Sequence, residues 1–324
     1  MELLAGTAKG VFRVGDGECL LDSRTVRDLV DINGALFAGT DAGLYRSRNN
    51  CASWDLIGFD DIAVWQIRAH GGRIWVGTAP AGLYVSDDGG DTWQMNEPFS
   101  HHPDRDAWCI PLDPPLPGRA RAIAINRDNP DQMLVGVEVG GIMRTTDGGT
   151  SWSLILPGGN PDLHMIFQHP DAANIVFAST GYGRADHIAE MVEGNAGVLR
   201  SDDFGATWTY CWQGITPRYA RPMCIDRQGL TVASAPTAFS HHREDGGAKA
   251  MLYRSEDQGG SWRSLGDEDH SPSPANFHGL ISHPHRPGDV IVGTDTGEVW
   301  HVTNDAVWHL QGNGLPPVMG VLGV

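Results

Sequence analysis

One pattern recurs along the whole chain and limits what it can become. A short apolar stretch ends in Gly-Thr or a small equivalent, a turn follows, and a Gly opens an apolar-aromatic stretch. It runs from Ala5-Gly6-Thr7 to Gly10-Val11-Phe12, from Ala38-Gly39-Thr40 to Gly43-Leu44-Tyr45, and from Val76-Gly77-Thr78 to Gly82-Leu83-Tyr84. It returns at Val135-Gly136-Val137, in looser form at Ala178-Ser179-Thr180 and Ala233-Ser234-Ala235, and again at Val292-Gly293-Thr294. These copies are 33 to 59 residues apart. Self-similarity at that spacing predicts one supersecondary unit repeated seven times, not two unrelated domains. Short β-prone runs broken by Gly and Asp turns predict antiparallel strands.

A second motif follows the first. Ser86-Asp87-Asp88-Gly89-Gly90-Asp91-Thr92-Trp93 has the form S-x-D-x-G-x-T-W, as does the run from Ser201 to Trp208. Thr145 to Trp152 and Ser255 to Trp262 match with Ser/Thr exchange. Ser47 to Trp54 and Thr303 to Trp308 are worn copies. In such a turn the Asp carboxylate accepts backbone N–H groups of its own loop, and Gly supplies positive φ. Asp88, Asp147, Asp203 and Asp257 are therefore expected to be structural, with each Trp packed between neighbouring units. An EF-hand calcium loop is not expected, because its helices and terminal Glu are missing.

This motif resembles the Asp box of the BNR-repeat β-propellers. The family includes sialidases, xyloglucanases, sortilin-type receptors and a photosystem II assembly factor, so the resemblance implies a fold more than a function. The expectation is an all-β, seven-bladed β-propeller with Asp-box turns, spanning 1–324 as one domain. Strands are lettered a to d from the channel outward. The first of them, near Leu3-Leu4, is a strand b, and Val318-Met319-Gly320-Val321-Leu322 supplies the missing strand a of that blade. This closure leaves no open edge in the ring. One short helix at most is expected, at 186–193.

Successive strands are antiparallel, so d-to-a and b-to-c connections emerge on one face and the Asp boxes on the other. The long insertions 97–118, 182–196, 236–250 and 267–275 all fall on the first face. Long loops gathered on one face of a rigid scaffold mark the site.

Composition narrows the partners. The net charge is −17, with 40 acidic and 23 basic residues, and the only lysines are Lys9 and Lys249. Such a chain is a poor partner for nucleic acid or an anionic membrane. The five Cys include no C-x-x-C pair, so neither a zinc ribbon nor a disulfide framework is expected. There is no signal-like segment at Met1 and no apolar run of spanning length, and a cytoplasmic location is the expectation.

At the mouth of the channel, the starts of the strands a place Arg27, Trp65, Arg121, His164, Arg221, His278 and the Val318/Met319 pair. The arginines are expected to gather here. They form either a pocket for a carboxylate, phosphate or sulfate, or ion pairs with Asp28, Glu138 or Asp226. Ligand-binding candidates are Arg27, Trp65, Arg121, Arg221, Glu138, Tyr182 and His102. Catalytic candidates are His164, His278, His242 and Tyr219, with a His as general base. His164, His241 and His278 are the candidates for a divalent metal such as zinc, manganese or iron. His169, His283 and His285 are expected to be turn residues. Exposed Trp108 or Trp212 would stack on a substrate or contact another subunit in a homo-oligomer.

A sialidase of this family is not expected. Its Phe/Tyr-Arg-Ile-Pro motif is absent, Phe12-Arg13-Val14-Gly15 does not replace it, and family sialidases have six blades. A xyloglucanase needs a second propeller. Three readings remain open. The first is a hydrolase or lyase for a small anionic or carbohydrate-like ligand. The second is a binding or assembly scaffold, and the third a metal-dependent enzyme.

Overall fold

A computed structural model describes residues 1–110, 112–181, 196–236 and 247–324. Seven four-stranded antiparallel sheets form the blades of the propeller. Blade 1 orders Cys19–Asp22, Gly10–Arg13, Leu3–Thr7 and Val318–Gly323, so it is composite as expected. Glu2 and Val324 bond each other's backbones in both directions beside this clasp. The strands a of blades 2 to 7 are Val26–Ile32, Ala63–His70, Arg119–Ile125, Leu163–Gln168, Tyr219–Asp226 and Phe277–Ser282. Among the described residues no helix is long and apolar enough to cross a membrane.

The two halves of the Gly-Thr repeat do different work. The Gly of strand b faces the strand a of the next blade at very short range. A Cβ on Gly6 would stand 2.8 Å from Val26 Cγ1, one on Gly39 2.7 Å from Val64 Cγ1, and one on Gly293 2.4 Å from Val318 Cγ1. The Thr that follows closes the hairpin. Thr7 and Thr40 hydroxyls donate to the carbonyls of Gly10 and Gly43 at 2.9 and 3.0 Å, and accept the amides of Lys9 and Ala42. Between blades lie separate apolar clusters, such as Phe37, Leu44, Val64, Ile67, Ile74 and Val76 between blades 2 and 3. Each fully buried side chain of this kind contributes roughly 1.5–3 kcal/mol.

The Asp boxes are structural. Asp88 accepts the Ser86 hydroxyl at 2.7 Å, the Thr92 amide at 2.9 Å and the Thr92 hydroxyl at 2.6 Å. The same set recurs at Asp147, Asp203 and Asp257. Side-chain bonds from Ser151 and Ser261 are the largest influence holding the Asp147 and Asp257 carboxyls down at about 2. In the worn copy Asn49 replaces the carboxylate and still accepts the Ser53 amide. Three box tryptophans bond the preceding blade, Trp152 Nε1 to Asn96, Trp262 Nε1 to the Cys211 carbonyl and Trp308 Nε1 to the Leu265 carbonyl, whereas Trp208 Nε1 bonds Gly205 of its own box.

Two expectations need correction. The arginines do not gather at the mouth alone. Arg46, Arg144 and Arg200, at equivalent strand-c positions, donate to the carbonyls of Gly89, Phe204 and Gln258 in the next blade's box. Those three residues have φ of 77°, 50° and 59°, which turns their carbonyls toward the neighbour. A second set of arginines thus ties the blades on the Asp-box face. Secondly, the 97–118 connection is not plain loop. It holds a helix at Glu97–Ser100 capped by Asn96, a 3₁₀ turn at Pro103–Ala107, and a small hairpin of Cys109–Ile110 with Leu116–Pro117. The 186–193 helix lies outside the described residues.

The close approach at strand b carries a prediction. In Gly77→Ala the new Cβ would stand 2.2 Å from the Ala120 backbone oxygen. Urea unfolding is expected to show a loss of about 1–3 kcal/mol. Gly15→Ala, which meets nothing within 4 Å, is expected to stay within ~0.5 kcal/mol of the parent.

Candidate functional site

Every strand a carries a β-bulge at the same level. The pairing register skips between Val26 and Asp28, Val64 and Gln66, Ala120 and Ala122, Leu163 and Met165, Ala220 and Met223, and Phe277 and Gly279. In blade 1 it skips Met319. The residues the strand register passes over are Arg27, Trp65, Arg121, His164, Arg221 with Pro222, His278 and Met319. This is the ring expected at the mouth. An extra residue in one strand re-aims its side chain and leaves backbone groups to be satisfied elsewhere. Here the preceding blade helps: the Asp28 carboxylate accepts the Ile67 amide at 2.8 Å, and the Gln66 carbonyl oxygen accepts the Ile123 amide. The ring opens into a central cavity of about 310 Å³, whose lining includes Arg27, Trp65, Arg68, Arg121, Arg221, His278 and Met319.

Glu138, at the end of strand b in blade 4, is buried with a guanidinium on each oxygen. Arg119 donates to Oε2 and Arg121 reaches Oε1, both at 2.9 Å. Burial pushes the Glu138 carboxyl up, but Arg121, Arg119, His164 and Arg221 pull it further down, to about 2. Glu138 is therefore an anion at any working pH.

Beside it lies a second cluster. Fully buried His164 has Nδ1 2.6 Å from the Ala220 carbonyl and Nε2 3.2 Å from Asp162 Oδ1. A carbonyl oxygen only accepts, so Nδ1 carries a hydrogen. Nε2 then faces a carboxylate, and that contact is favourable only with a proton shared between the two. The Tyr219 hydroxyl stands 3.5 Å from the same Nε2. Burial pushes that hydroxyl up to about 12, so it is a neutral phenol at neutral pH. The Arg221 NH2 group meets the Tyr219 hydroxyl at 3.4 Å. Among the described residues no carboxylate lies in ion-pair range of Arg221, and its Nε is buried without a hydrogen-bond partner. Gly181 lets the chain pass this cluster, since a Cβ there would be 2.2 Å from Asp162 Oδ2.

The other candidates are placed as follows. Arg27 forms a two-point ion pair with Asp41, at 2.7 and 2.6 Å. Trp65 has the guanidinium carbons of Arg27, Arg119 and Arg121 4.3, 4.5 and 5.2 Å from its ring centre, so arginines crowd the ring. Two of the three mouth arginines are thus neutralised, though by Asp41 and Glu138. Asp28 and Asp226 serve Arg68 and Arg254. His278 lines the cavity near Asn276. His102 is not in the lining; its Nδ1 accepts the Asp104 amide and its ring stacks on Trp108. Trp108 is buried, and Trp212 is half-buried with Arg218 over its ring, so neither is the exposed platform expected. His169 and His283 accept amides two residues ahead, as turn residues do. Tyr182, His241 and His242 lie outside the described residues.

Of the histidines expected to hold a metal, His241 lies outside the described residues, and both nitrogens of His164 are engaged. One group of three ligating side chains does converge: Glu138, Asp162 and His164 have atoms within 4.8 Å of one another. Two guanidiniums already occupy Glu138, so a cation would enter against fixed positive charge. Anion chemistry fits these residues better. Arg119, Asp41 and Asp162 were not singled out from sequence. Arg119 and Asp162 each sit two residues before a bulge residue, and so does Tyr219. That period-two spacing puts both side chains on one face and was the available signal.

A BNR/Asp-box repeat model matches residues 84–95. No curated protein sequence matches the chain. The fold is similar to that of an ancestral GH74 enzyme, with a TM-score of 0.64 and 15% identity over 92% of this chain and 37% of that one. It is also similar to the GH74 xyloglucanase from Xanthomonas campestris, with a TM-score of 0.63 and 14% identity over 95% of this chain and 46% of that one. YCF48 bound to D1 peptide gives a TM-score of 0.54 and 18% identity, over 88% of this chain and 81% of that one. The chain therefore spans less than half of the glycoside hydrolases it matches. These likenesses show a shared propeller fold.

Glu138 also sets a pH dependence. Its folded pKa of about 2 lies below the ordinary Glu value of ~4.3. Its ionised form thus stabilises the fold fully above about pH 4.3, and the contribution fades as pH falls toward 2. Glu138→Gln, which leaves two guanidiniums uncompensated, is expected to cost about 3–5 kcal/mol near neutral pH. Chemical unfolding of both proteins against pH is expected to show that deficit constant above pH 5 and closing toward pH 2.

Proposed function

We propose that the channel mouth binds a small anionic ligand and acts on it as a hydrolase or lyase by proton transfer. The observation that carries this reading is Arg221. It is a cavity-lining cation with no carboxylate in ion-pair range among the described residues, while Arg27 and Arg121 are each paired. A guanidinium that feels Glu138 and Asp162 only at longer range, with no direct ion pair among the described residues, is a seat for a carboxylate or phosphate. Asp162, His164 and Tyr219 form a chain ending beside that seat.

Each residue then has a role. Arg221 holds the anion. The Tyr219 hydroxyl, neutral until about 12, gives a proton to the leaving oxygen. In hydrolysis a water attacks the carbon or phosphorus as its bond to that oxygen breaks. His164 reprotonates Tyr219 with the proton it shares with Asp162, and the proton the water sheds restores the Asp162–His164 pair. The Ala220 carbonyl fixes the imidazole ring. Arg119 and Arg121 keep Glu138 ionised, and the charged group orders the rim. Proton delivery of this kind contributes typically 10²–10⁴-fold in rate. The glycoside hydrolases among the structural neighbours support the hydrolase side of the proposal.

A second reading is a non-catalytic scaffold that captures an anionic segment at the same rim. It draws on the YCF48 bound to D1 peptide, which matches along most of both chains. It needs Arg221 but not the phenol or the imidazole.

The two readings separate by mutation. Tryptophan fluorescence is expected to titrate with inorganic phosphate, and Arg221→Met to weaken binding at least about tenfold. Arg24→Met, at an exposed pair with Asp61, is expected to leave it unchanged. Equal binding by Arg221→Met would sink both readings. Turnover of a panel of nitrophenyl esters and glycosides, lost about 100-fold in Tyr219→Phe with binding retained, supports the enzyme. Turnover indifferent to that change overturns the proton chain.

A further inference from the structure

The cavity changes character with depth. Three residues beyond the bulge, strands a place a second ring about 10 Å further in, at ~3.3 Å per residue. Where the rim has Arg27, His164, His278 and Met319, this ring has Val30, Phe167, Ile281 and Leu322. All four of the deeper residues line the cavity and keep part of their apolar surface uncovered. Met165 adds a thioether beside them. The charge at this depth is Arg68, which Asp28 holds at 3.0 Å. The rim is thus cationic and the throat apolar, within one continuous space.

Resting on the anion-binding reading above, we infer that the ligand is an amphipathic anion: a carboxylate or phosphate bearing one aryl or medium-length alkyl group. The head takes Arg221 at the rim, and the apolar part enters the throat against Phe167, Ile281, Val30 and Leu322. A free sugar does not fit as well. Its hydroxyls would meet hydrocarbon in the throat, and leaving polar groups there without partners is costly. The rim ring that would stack a sugar face, Trp65, is already crowded by three guanidiniums. Size agrees. A cavity of about 150 Å³ accepts benzene, so about 310 Å³ holds one ring together with its charged head.

The test compares paired probes on the intact protein by tryptophan fluorescence and calorimetry: inorganic phosphate against phenyl phosphate, and acetate against benzoate. Phenyl phosphate and benzoate are expected to bind at least tenfold tighter than their small partners. Ile281→Thr and Phe167→Ser are expected to remove most of that gain and leave the inorganic phosphate constant within twofold. Circular dichroism confirms that each variant is folded, and either variant alone suffices. Phosphate binding with no gain for phenyl phosphate overturns this inference and leaves the anion reading standing. Binding of neither overturns both. Glucose binding tighter than phenyl phosphate also overturns it, because the throat would then be a polar subsite.

Discussion

The architecture depends on how closely one blade can stand against the next. Strand b of most blades presents a Gly to the following strand a, at distances where a methyl group would overlap a neighbour. Blades 5 and 6 use Ser179 and Ala233 instead, and Ser179 turns the contact into a hydrogen bond to the Arg221 carbonyl at 2.8 Å. The ring can close with seven units because these contacts set the spacing of the strands a. The Thr turns, the box tryptophans and the strand-c arginines then hold that spacing from the two faces. None of these ties is large by itself. They repeat around the ring: the strand-c arginines and several box tryptophans join a blade to its neighbour, while the Thr turns brace each hairpin from within.

The same spacing creates the site. Seven strands a brought this close around an axis cannot all present regular side-chain alternation to a shared space. Each bulges by a residue, and Arg27, Trp65, Arg121, Arg221, His278 and Met319 at these bulges line the cavity, while His164 is buried against Ala220 and Asp162. In blades 2, 4 and 6 the bulge residue is Arg, so the fold collects like charges. It then offsets most of them with Asp41 and Glu138 and leaves Arg221 against a phenol. Attraction to the guanidiniums of Arg121, Arg119 and Arg221 outweighs the desolvation of Glu138 and keeps it ionised although buried. A ligand anion would complete at blade 6 what Asp41 and Glu138 complete at blades 2 and 4.

Much of this was readable from the chain. The Gly-Thr repeat and the Asp boxes located all seven blades and the closing strand, because each reflects a local turn or contact that only certain residues satisfy. The mouth residues were legible for the same reason, since strand starts follow from the turns. Charge pairing was less legible. Arg119 and Asp162 sit two positions before Arg121 and His164, yet only the bulged geometry shows Arg119 meeting Glu138 and Asp162 closing on His164 Nε2. Asp41 follows Thr40 in the b-to-c turn, and its bond to Arg27 crosses from that turn to strand a. Arg46, Arg144 and Arg200 went unnoticed because a strand-c Arg says nothing of the neighbouring blade's carbonyl. His102 and Trp108 were misjudged because the 97–118 connection folds on itself around Phe99.

The composite blade has a consequence for biosynthesis. The strand that completes blade 1 is encoded at 318–323, more than three hundred codons after its partner Leu3–Thr7. Until it emerges from the ribosome, the nascent chain holds up to six whole blades and one with its inner edge bare. That edge, Leu3-Leu4-Ala5-Gly6-Thr7, is apolar and ready to pair with any passing strand. Quality control for this molecule is therefore concentrated at one late event. A message cut short before codon 318 would yield a nearly complete but open ring, and surveillance by chaperones would matter most for that species.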